Sequence, residues 1–321
     1  MRRRLPALFA ATLLLVAFAT PAAAGDDAQS RHDRVVAHWT AARMAAATPR
    51  DFSFDPARGL QPARPPGGGG GSAGASWTGG GVVLQASGKV YFEMGGGGYV
   101  CSGAVANDSR PGYSLVLTAA HCAFDEAAEE FATNWLFIPN FDGSPTFTCG
   151  QTVYGCWTAD ALVVHEGYAT AGGFNTQATL HDFAFAVVGP GGQSGNAQLD
   201  GTVGSFPITF SSFANGTQMY AFGYPAAGKY KGKDLTYCAG PVFSDPYNAG
   251  LTYGMTCNMT GGSSGGPWLS SFSTSTGSGT LSSLNSYGYS GVRAMHGPKF
   301  NANTADVYSS ANSTTTNTIV P

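Results

Sequence analysis

The chain has 321 residues, 43% of them hydrophobic and only 11% charged, with a formal net charge of −3. The charge is uneven: residues 1–65 carry nine Arg and five Asp, a balance of +4, whereas residues 66–321 sum to −7. A body this poor in basic residues has no footprint for nucleic acid or for an anionic membrane, and both are excluded as partners.

Arg2, Arg3 and Arg4 give a basic start, Leu5 to Thr20 are mostly apolar, and Ala22-Ala23-Ala24 places small residues before Gly25. These are the parts of a secretory signal, with cleavage expected after Ala24. The apolar run is shorter than the roughly 20 residues that span a bilayer, which argues against an anchor. The arginines hint at twin-arginine export, but the rest of that signal is missing, so general secretion and an extracellular location are expected.

Residues 25–75 hold helix-compatible stretches such as Val35 to Ala47, then Pro62, Pro65 and Pro66, then the run Gly67 to Gly71. A glycine run cannot bury a core, so this part reads as a pro-segment followed by a linker. The alternative is a disordered N-terminal arm.

Residues 76–321 form the third unit. From Trp77 onward, short apolar or alternating runs are punctuated by Gly, Asn, Pro and Ser, as in Lys89 to Glu93, Leu115 to Thr118, Leu136 to Ile138 and Phe183 to Val188. Many short strands with frequent turn signals predict an all-β sandwich or barrel, or a pair of barrels packed as one. The Asn-, Ser- and Thr-rich stretch from Asn301 to Pro321 is expected to fray at its end.

Six cysteines, all beyond the signal, suit three disulfides in an oxidising compartment. Adjacency suggests Cys101–Cys122, Cys149–Cys156 and Cys238–Cys257. No Cys-x-x-Cys pair occurs and the histidines are scattered, so no metal and no other cofactor is expected.

A serine is a weak nucleophile at neutral pH. A serine hydrolase therefore needs an imidazole to take the proton, a carboxylate to orient the imidazole, and amide donors for the oxyanion. Three segments can supply these parts: Leu117-Thr118-Ala119-Ala120-His121-Cys122, His181-Asp182-Phe183-Ala184-Phe185-Ala186, and Gly261-Gly262-Ser263-Ser264-Gly265-Gly266-Pro267. Singly, each has a structural explanation as a strand end, a turn acid or a glycine loop.

Together they resemble the trypsin and chymotrypsin family of serine peptidases, and most closely its secreted bacterial and fungal branches. Thr118-Ala119-Ala120-His121-Cys122 matches that family's histidine motif throughout. Gly262-Ser263-Ser264-Gly265-Gly266-Pro267 matches its nucleophile motif at all but one position, and Cys101-Ser102-Gly103 matches the strand bearing the partner of Cys122. The order His, Asp, Ser is also the family's.

The resemblance covers about Val82 to Tyr308. It implies two packed antiparallel six-stranded β-barrels, a monomer acting on peptide or protein substrates, and hydrolysis through an acyl-enzyme. Ser264 is then the nucleophile and His121 the base, within the roughly 2.6–3.2 Å reach of a hydrogen bond. Asp182 orients the imidazole, and the N–H groups of Gly262 and Ser264 form the oxyanion hole. Ser286 supports Asp182, while the backbone of Tyr287 and Gly288 pairs with substrate as an added strand.

Two departures bear on activation and specificity. Ser263 stands where animal members carry the aspartate that receives a new N-terminal ammonium, so activation by that ion pair is not expected. Asn258 stands at the base of the specificity pocket where the trypsin type has an aspartate, and Asn285 where glutamyl-specific relatives have a histidine. Large uncharged residues are expected there, unless Asp306, in the stretch Asn301 to Asp306, restores an acid.

Gly262-Ser263-Ser264-Gly265-Gly266 also fits the Gly-x-Ser-x-Gly of α/β-hydrolase esterases, but residues 265–295 contain no acid and His296 precedes Asp306, the wrong order for that fold. A chymotrypsin-like domain kept as an inactive binding module is the other alternative, although no triad member is missing. His165 reads as structural, His181 as pointing away from Asp182, and His296 has no readable role.

Overall fold

The structure, a computed structural model, describes residues 23–55, 59–62, 74–143 and 148–321. All but the last two residues of the expected signal, and most of the expected linker, lie outside the described residues. No described helix is long and apolar enough to cross a membrane.

The first half closes into a barrel. Its six strands, in spatial order, are Gly97–Ala106, Ser87–Met94, Thr133–Pro139, Trp157–His165, Ala184–Val188 and Ser114–Thr118, and the last pairs back with the first. All six pairings are antiparallel. Strands such as Ser114–Thr118 and Ala184–Val188 are buried at every position, because one face fills the barrel and the other is covered by neighbouring elements. This explains why they read as continuous apolar runs rather than alternating ones.

The second half departs from the expected closed barrel. Among the described residues it consists of two sheets: Ser278–Leu284, Pro267–Ser273, Gln218–Gly223, Thr236–Pro241 and Ala75–Ser76 in one, and Phe243–Ser244, Tyr253–Thr256, Ala294–Gly297, Tyr287–Tyr289, Phe52–Asp55 and Gly59–Pro62 in the other. No strand ladder joins their edges. The Cys238–Cys257 disulfide links the two sheets instead, since Cys238 lies in the first sheet and Cys257 directly follows Tyr253–Thr256 of the second.

The N-terminal segment is not a disordered arm over its described part. Helices Ala23–His38 and Ala41–Ala46 lie against the first barrel, where Trp39 is buried and packs 5.4 Å from the Tyr91 ring. Thr48–Pro49 and Phe52–Asp55 then add strands to the two halves in turn, both in the parallel sense, so the sheets are not purely antiparallel as expected.

The C-terminus is also more ordered than expected. Asn301 caps the helix Ala302–Ala311 in a capping box with Thr304. Thr318–Val320 pairs in parallel with Trp157–His165. All three expected disulfides form, with Cα–Cα distances of 6.3, 5.3 and 5.6 Å, well within bridging geometry.

Candidate active site

His121 follows the end of a barrel strand, in the short turn Ala120–Cys122, and the Cys101–Cys122 bond ties that turn to the neighbouring strand. Asp182 stands two residues before the strand Ala184–Val188, whose register pairs Ala184 with Thr118. The same register carries Asp182 to the level of the histidine turn. His121 Nδ1 lies 2.8 Å from Asp182 Oδ2, and the His121 backbone N–H donates to Asp182 Oδ1 at 2.9 Å. Both residues are fully buried. The Ser286 hydroxyl donates to Asp182 Oδ2 at 2.5 Å, so the carboxylate accepts three hydrogen bonds, two from His121 and one from Ser286.

The loop that carries Ser264 is held from both halves. Ser102 N–H donates to Ser264 O at 2.7 Å and its hydroxyl to Gly262 O at 2.8 Å, which fastens the loop to the first barrel. Asn285 fastens it to the second half: its side-chain amide donates to Ser263 O and Phe222 O, and its carbonyl accepts from Trp268 Nε1. Asn285 is thus spent on the framework. Gly262 adopts φ +92°, and a Cβ there would crowd Ala226 and Tyr224 O, so only glycine can turn this N–H into the cleft. Ser263, in place of the family's aspartate, is buried and its hydroxyl donates to Thr260 O.

The His121–Ser264 hydrogen bond expected from the sequence is not formed. Ser264 Oγ donates instead to Asp51 Oδ1 at 3.1 Å, and Gly262 N–H reaches the same oxygen at 3.2 Å. A carboxyl oxygen is a better acceptor than a ring nitrogen that must compete for the same hydroxyl. His121 Nε2 is left with no hydrogen-bond partner among the described residues. Burial pushes the Asp51 carboxyl above its ordinary range, opposed by His121, the Gly262 N–H and the Ser264 hydroxyl.

Tyr287 and Gly288, expected to pair with substrate, pair with Phe52 and Ser53. Phe52 stacks on Phe174 at 4.0 Å between centroids and meets the His121 ring edge-on at 5.4 Å. Beyond Phe54 lies a cavity of about 520 Å³ whose lining includes Phe174, Asn175, Tyr247 and Tyr289.

At the expected pocket base, Asn258 Oδ1 accepts from Gly74 N–H at 2.8 Å and from the Tyr230 hydroxyl at 2.7 Å. Because a backbone N–H only donates, the side-chain oxygen faces Gly74 and the amide offers its NH₂ elsewhere. Asp306 lies in the helix Ala302–Ala311, where its charge acts on His165. His165 and His181 stack on each other at 4.4 Å, and His181 bonds Asn303. His296 is buried beside Asp245 and stacked on Tyr287, with burial lowering its pKa to about 4. Cys101, His121 and Cys122 cluster closely, but both sulfurs are committed to a disulfide and cannot ligate a metal.

No family model matches the chain, and no curated protein matches it either. Solved structures do. The protease Anisep from Arthrobacter nicotinovorans is 38% identical, with a TM-score of 0.61 over 72% of this chain and 96% of that one. A thermostable serine protease, AL20, from an extremophilic microorganism is 35% identical, with a TM-score of 0.62 over 73% of this chain and 99% of its own. A Glu endopeptidase in complex with MPD, at 20% identity and a TM-score of 0.52 over 70% and 90%, speaks for the fold alone. With two bacterial-type proteases matched over nearly their whole length at more than a third identity, the chain belongs to the chymotrypsin-like serine protease family.

Proposed function

We propose that the protein is a secreted serine endopeptidase that cleaves peptide bonds through an acyl-enzyme, with His121, Asp182 and Ser264 as its triad. The observation that carries this reading is a convergence. The hydroxyl of Ser264 and the N–H of Gly262 point at one oxygen atom, beside an imidazole whose other nitrogen is fixed by Asp182. The Gly262 N–H that meets this oxygen is one of the two donors proposed to receive the oxygen of a substrate carbonyl as it becomes an oxyanion.

Asp182 can accept from His121 only if Nδ1 carries the proton, which leaves the lone pair of Nε2 to act as base. Ser264 Oγ gives its proton to Nε2 as it attacks the scissile carbonyl. The backbone N–H groups of Gly262 and Ser264 take the developing negative charge, and the imidazolium returns the proton to the leaving amine. Water then repeats the sequence on the acyl-enzyme. Substrate adds as a strand along Tyr287 and Gly288, in the place that Phe52 and Ser53 hold in the intact chain. The three disulfides suit an extracellular site of action.

Specificity follows from Asn258. With its oxygen engaged by Gly74 and Tyr230, the pocket base offers donors, and a Lys or Arg side chain, which carries donors only, finds no acceptor there. Large uncharged residues are the proposed preference. The test of the activity is hydrolysis of a quenched fluorescent peptide library by the protein cut within Gly67 to Gly71 and freed of the part before the cut. H121A or S264A should each lower kcat on the order of 10⁶-fold. Equal residual hydrolysis in wild type and both variants would leave an inactive binding module as the better reading.

A further inference from the structure

Residues 48–55 fill the cleft. Thr48 and Pro49 pair with Tyr99 and Val100 of the first barrel, and Phe52, Ser53 and Phe54 pair with Tyr287, Gly288 and Tyr289 of the second half, so one short strand bridges both walls. Between these two pairings Asp51 places Oδ1 on Ser264 Oγ and Gly262 N–H. Gly261 makes room for it: a Cβ at that position would fall 1.4 Å from Asp51 Oδ2. Part of Asp51 keeps contact with solvent, but its carboxyl is desolvated.

The neighbours of Asp51 hold it there. Arg50 Nη1 donates to His121 O at 2.6 Å, and Nη2 lies 3.2 Å from the carboxylate of Glu126, which is 3% exposed and also accepts from Tyr168. Withdrawing Arg50 would leave Glu126 buried with one neutral partner, which opposes release. Phe52 lies over His121 and Phe174 and shields the imidazole from the cleft. What meets the nucleophile is a side-chain carboxyl, which has no leaving amine, and Gly262 N–H is bonded to that carboxyl rather than to a peptide carbonyl.

Resting on the peptidase reading above, we propose that residues 48–55 are an autoinhibitory strap, in which Asp51 occupies the Ser264 hydroxyl and the Gly262 N–H and Arg50 locks the strap onto the histidine turn. Activation then needs two events: a cut between the strap and the peptidase body, and departure of the strap from the cleft. After the cut, the N-terminal fragment remains an inhibitor of the enzyme that it came from. The glycine run Gly67 to Gly71 lies between the strap and the body in sequence, and its composition cannot bury a core, which suits such a cut.

The test uses the full chain on an S264-intact background, with Gly67–Gly71 replaced by the recognition sequence of a site-specific endopeptidase. Labelling by a fluorophosphonate is timed for the intact chain, for the cut chain, for the body after the fragment is separated, and after the fragment is added back. The intact chain is expected to label about tenfold or more slowly than the separated body, and added fragment to restore the slow rate. R50A and D51A, each in the intact chain, should label faster before any cut. Should either variant fail to fold, the add-back of unaltered fragment decides the question without it. Labelling of the intact chain as fast as the separated body overturns the strap while leaving the peptidase reading in place. Labelling of neither form, with no peptide hydrolysis by either, overturns the peptidase reading and the strap with it.

Discussion

Ser286 and His121 share one acceptor: the Ser286 hydroxyl and the His121 Nδ1 proton both converge on Asp182 Oδ2, at 2.5 and 2.8 Å. The two residues are 165 positions apart, and the aspartate between them has no solvent contact, so its orientation is set by protein groups from both halves of the molecule.

D182N should therefore keep the packing and lose the tautomer. An amide turned to donate towards Nδ1 would place the imidazole proton on Nε2, where it cannot act as base. The expected fall in kcat is about 10⁴-fold with little change in KM. S286A removes one hydrogen bond to a charged group and should cost about tenfold in kcat. Steady-state kinetics on one peptide substrate separates the two, and a larger effect from S286A than from D182N would contradict the proposed roles.

Asp51 gives the strap a pH dependence with a definite sign. Its carboxyl is raised above the ordinary value of 3.8 when docked, chiefly by desolvation, so docking favours the protonated form. That contribution is fully present below the free value and is lost as pH rises through the docked value. Inhibition by the released fragment should weaken as pH rises above the ordinary carboxylate range. D51N keeps a carbonyl acceptor for Gly262 and Ser264 but has no proton to lose. The inhibition constant of the wild-type fragment, divided by that of the D51N fragment, should thus rise with pH, by at most about tenfold per unit. A ratio independent of pH between 4 and 8 would remove Asp51 from the account.

The pocket makes a prediction by gain. N258D preserves an oxygen for Gly74 N–H and Tyr230, and adds a charge where the wild type offers donors. It should raise kcat/KM for peptides with Arg or Lys before the scissile bond by about tenfold or more, relative to Phe or Leu. If wild type itself prefers Arg or Lys a hundredfold, about 2.7 kcal/mol in transition-state binding, the pocket has been misassigned.

Much of this site was legible in the sequence because its chemistry is concentrated in short runs. The segments around His121, Asp182 and Ser264 each carry the candidate residue beside the glycines, cysteine or apolar strand that positions it. The pairing of the cysteines was legible too, since each bridge closes a short stretch of chain. The closure of the second half was not. Whether edge strands meet depends on bends and on a disulfide across the gap, neither of which leaves a local pattern. Nor was the role of Asp51 legible: Arg50-Asp51-Phe52 is an unremarkable tripeptide, and only folding brings it to a serine 213 positions away. The alternation Phe52-Ser53-Phe54-Asp55 was a signal for a strand, but not for the cleft as its place. The same holds for Ser102 and Asn285, whose bonds to the loop of Ser264 reach across 160 and 162 positions from Ser102 and 22 from Asn285.

Because the Cys238–Cys257 bond links two sheets that no described strand ladder joins, its loss should be felt as local separation as well as lower stability. C238A/C257A should lower the unfolding free energy by about 3 kcal/mol, measured by chemical denaturation. Hydrogen exchange should quicken in Thr236–Pro241 and Tyr253–Thr256 ahead of the first barrel. Uniform acceleration across both halves would show that the bridge acts only through the unfolded chain.

The central claim is that Ser264 is a nucleophile activated by His121. Its most direct test is to treat the separated peptidase body with a fluorophosphonate and to locate the adduct by tandem mass spectrometry. The account predicts one phosphonyl group, on Ser264, and none in H121A over the same time. An unmodified Ser264 in a folded body freed of the strap, or an adduct at any other serine, would contradict it.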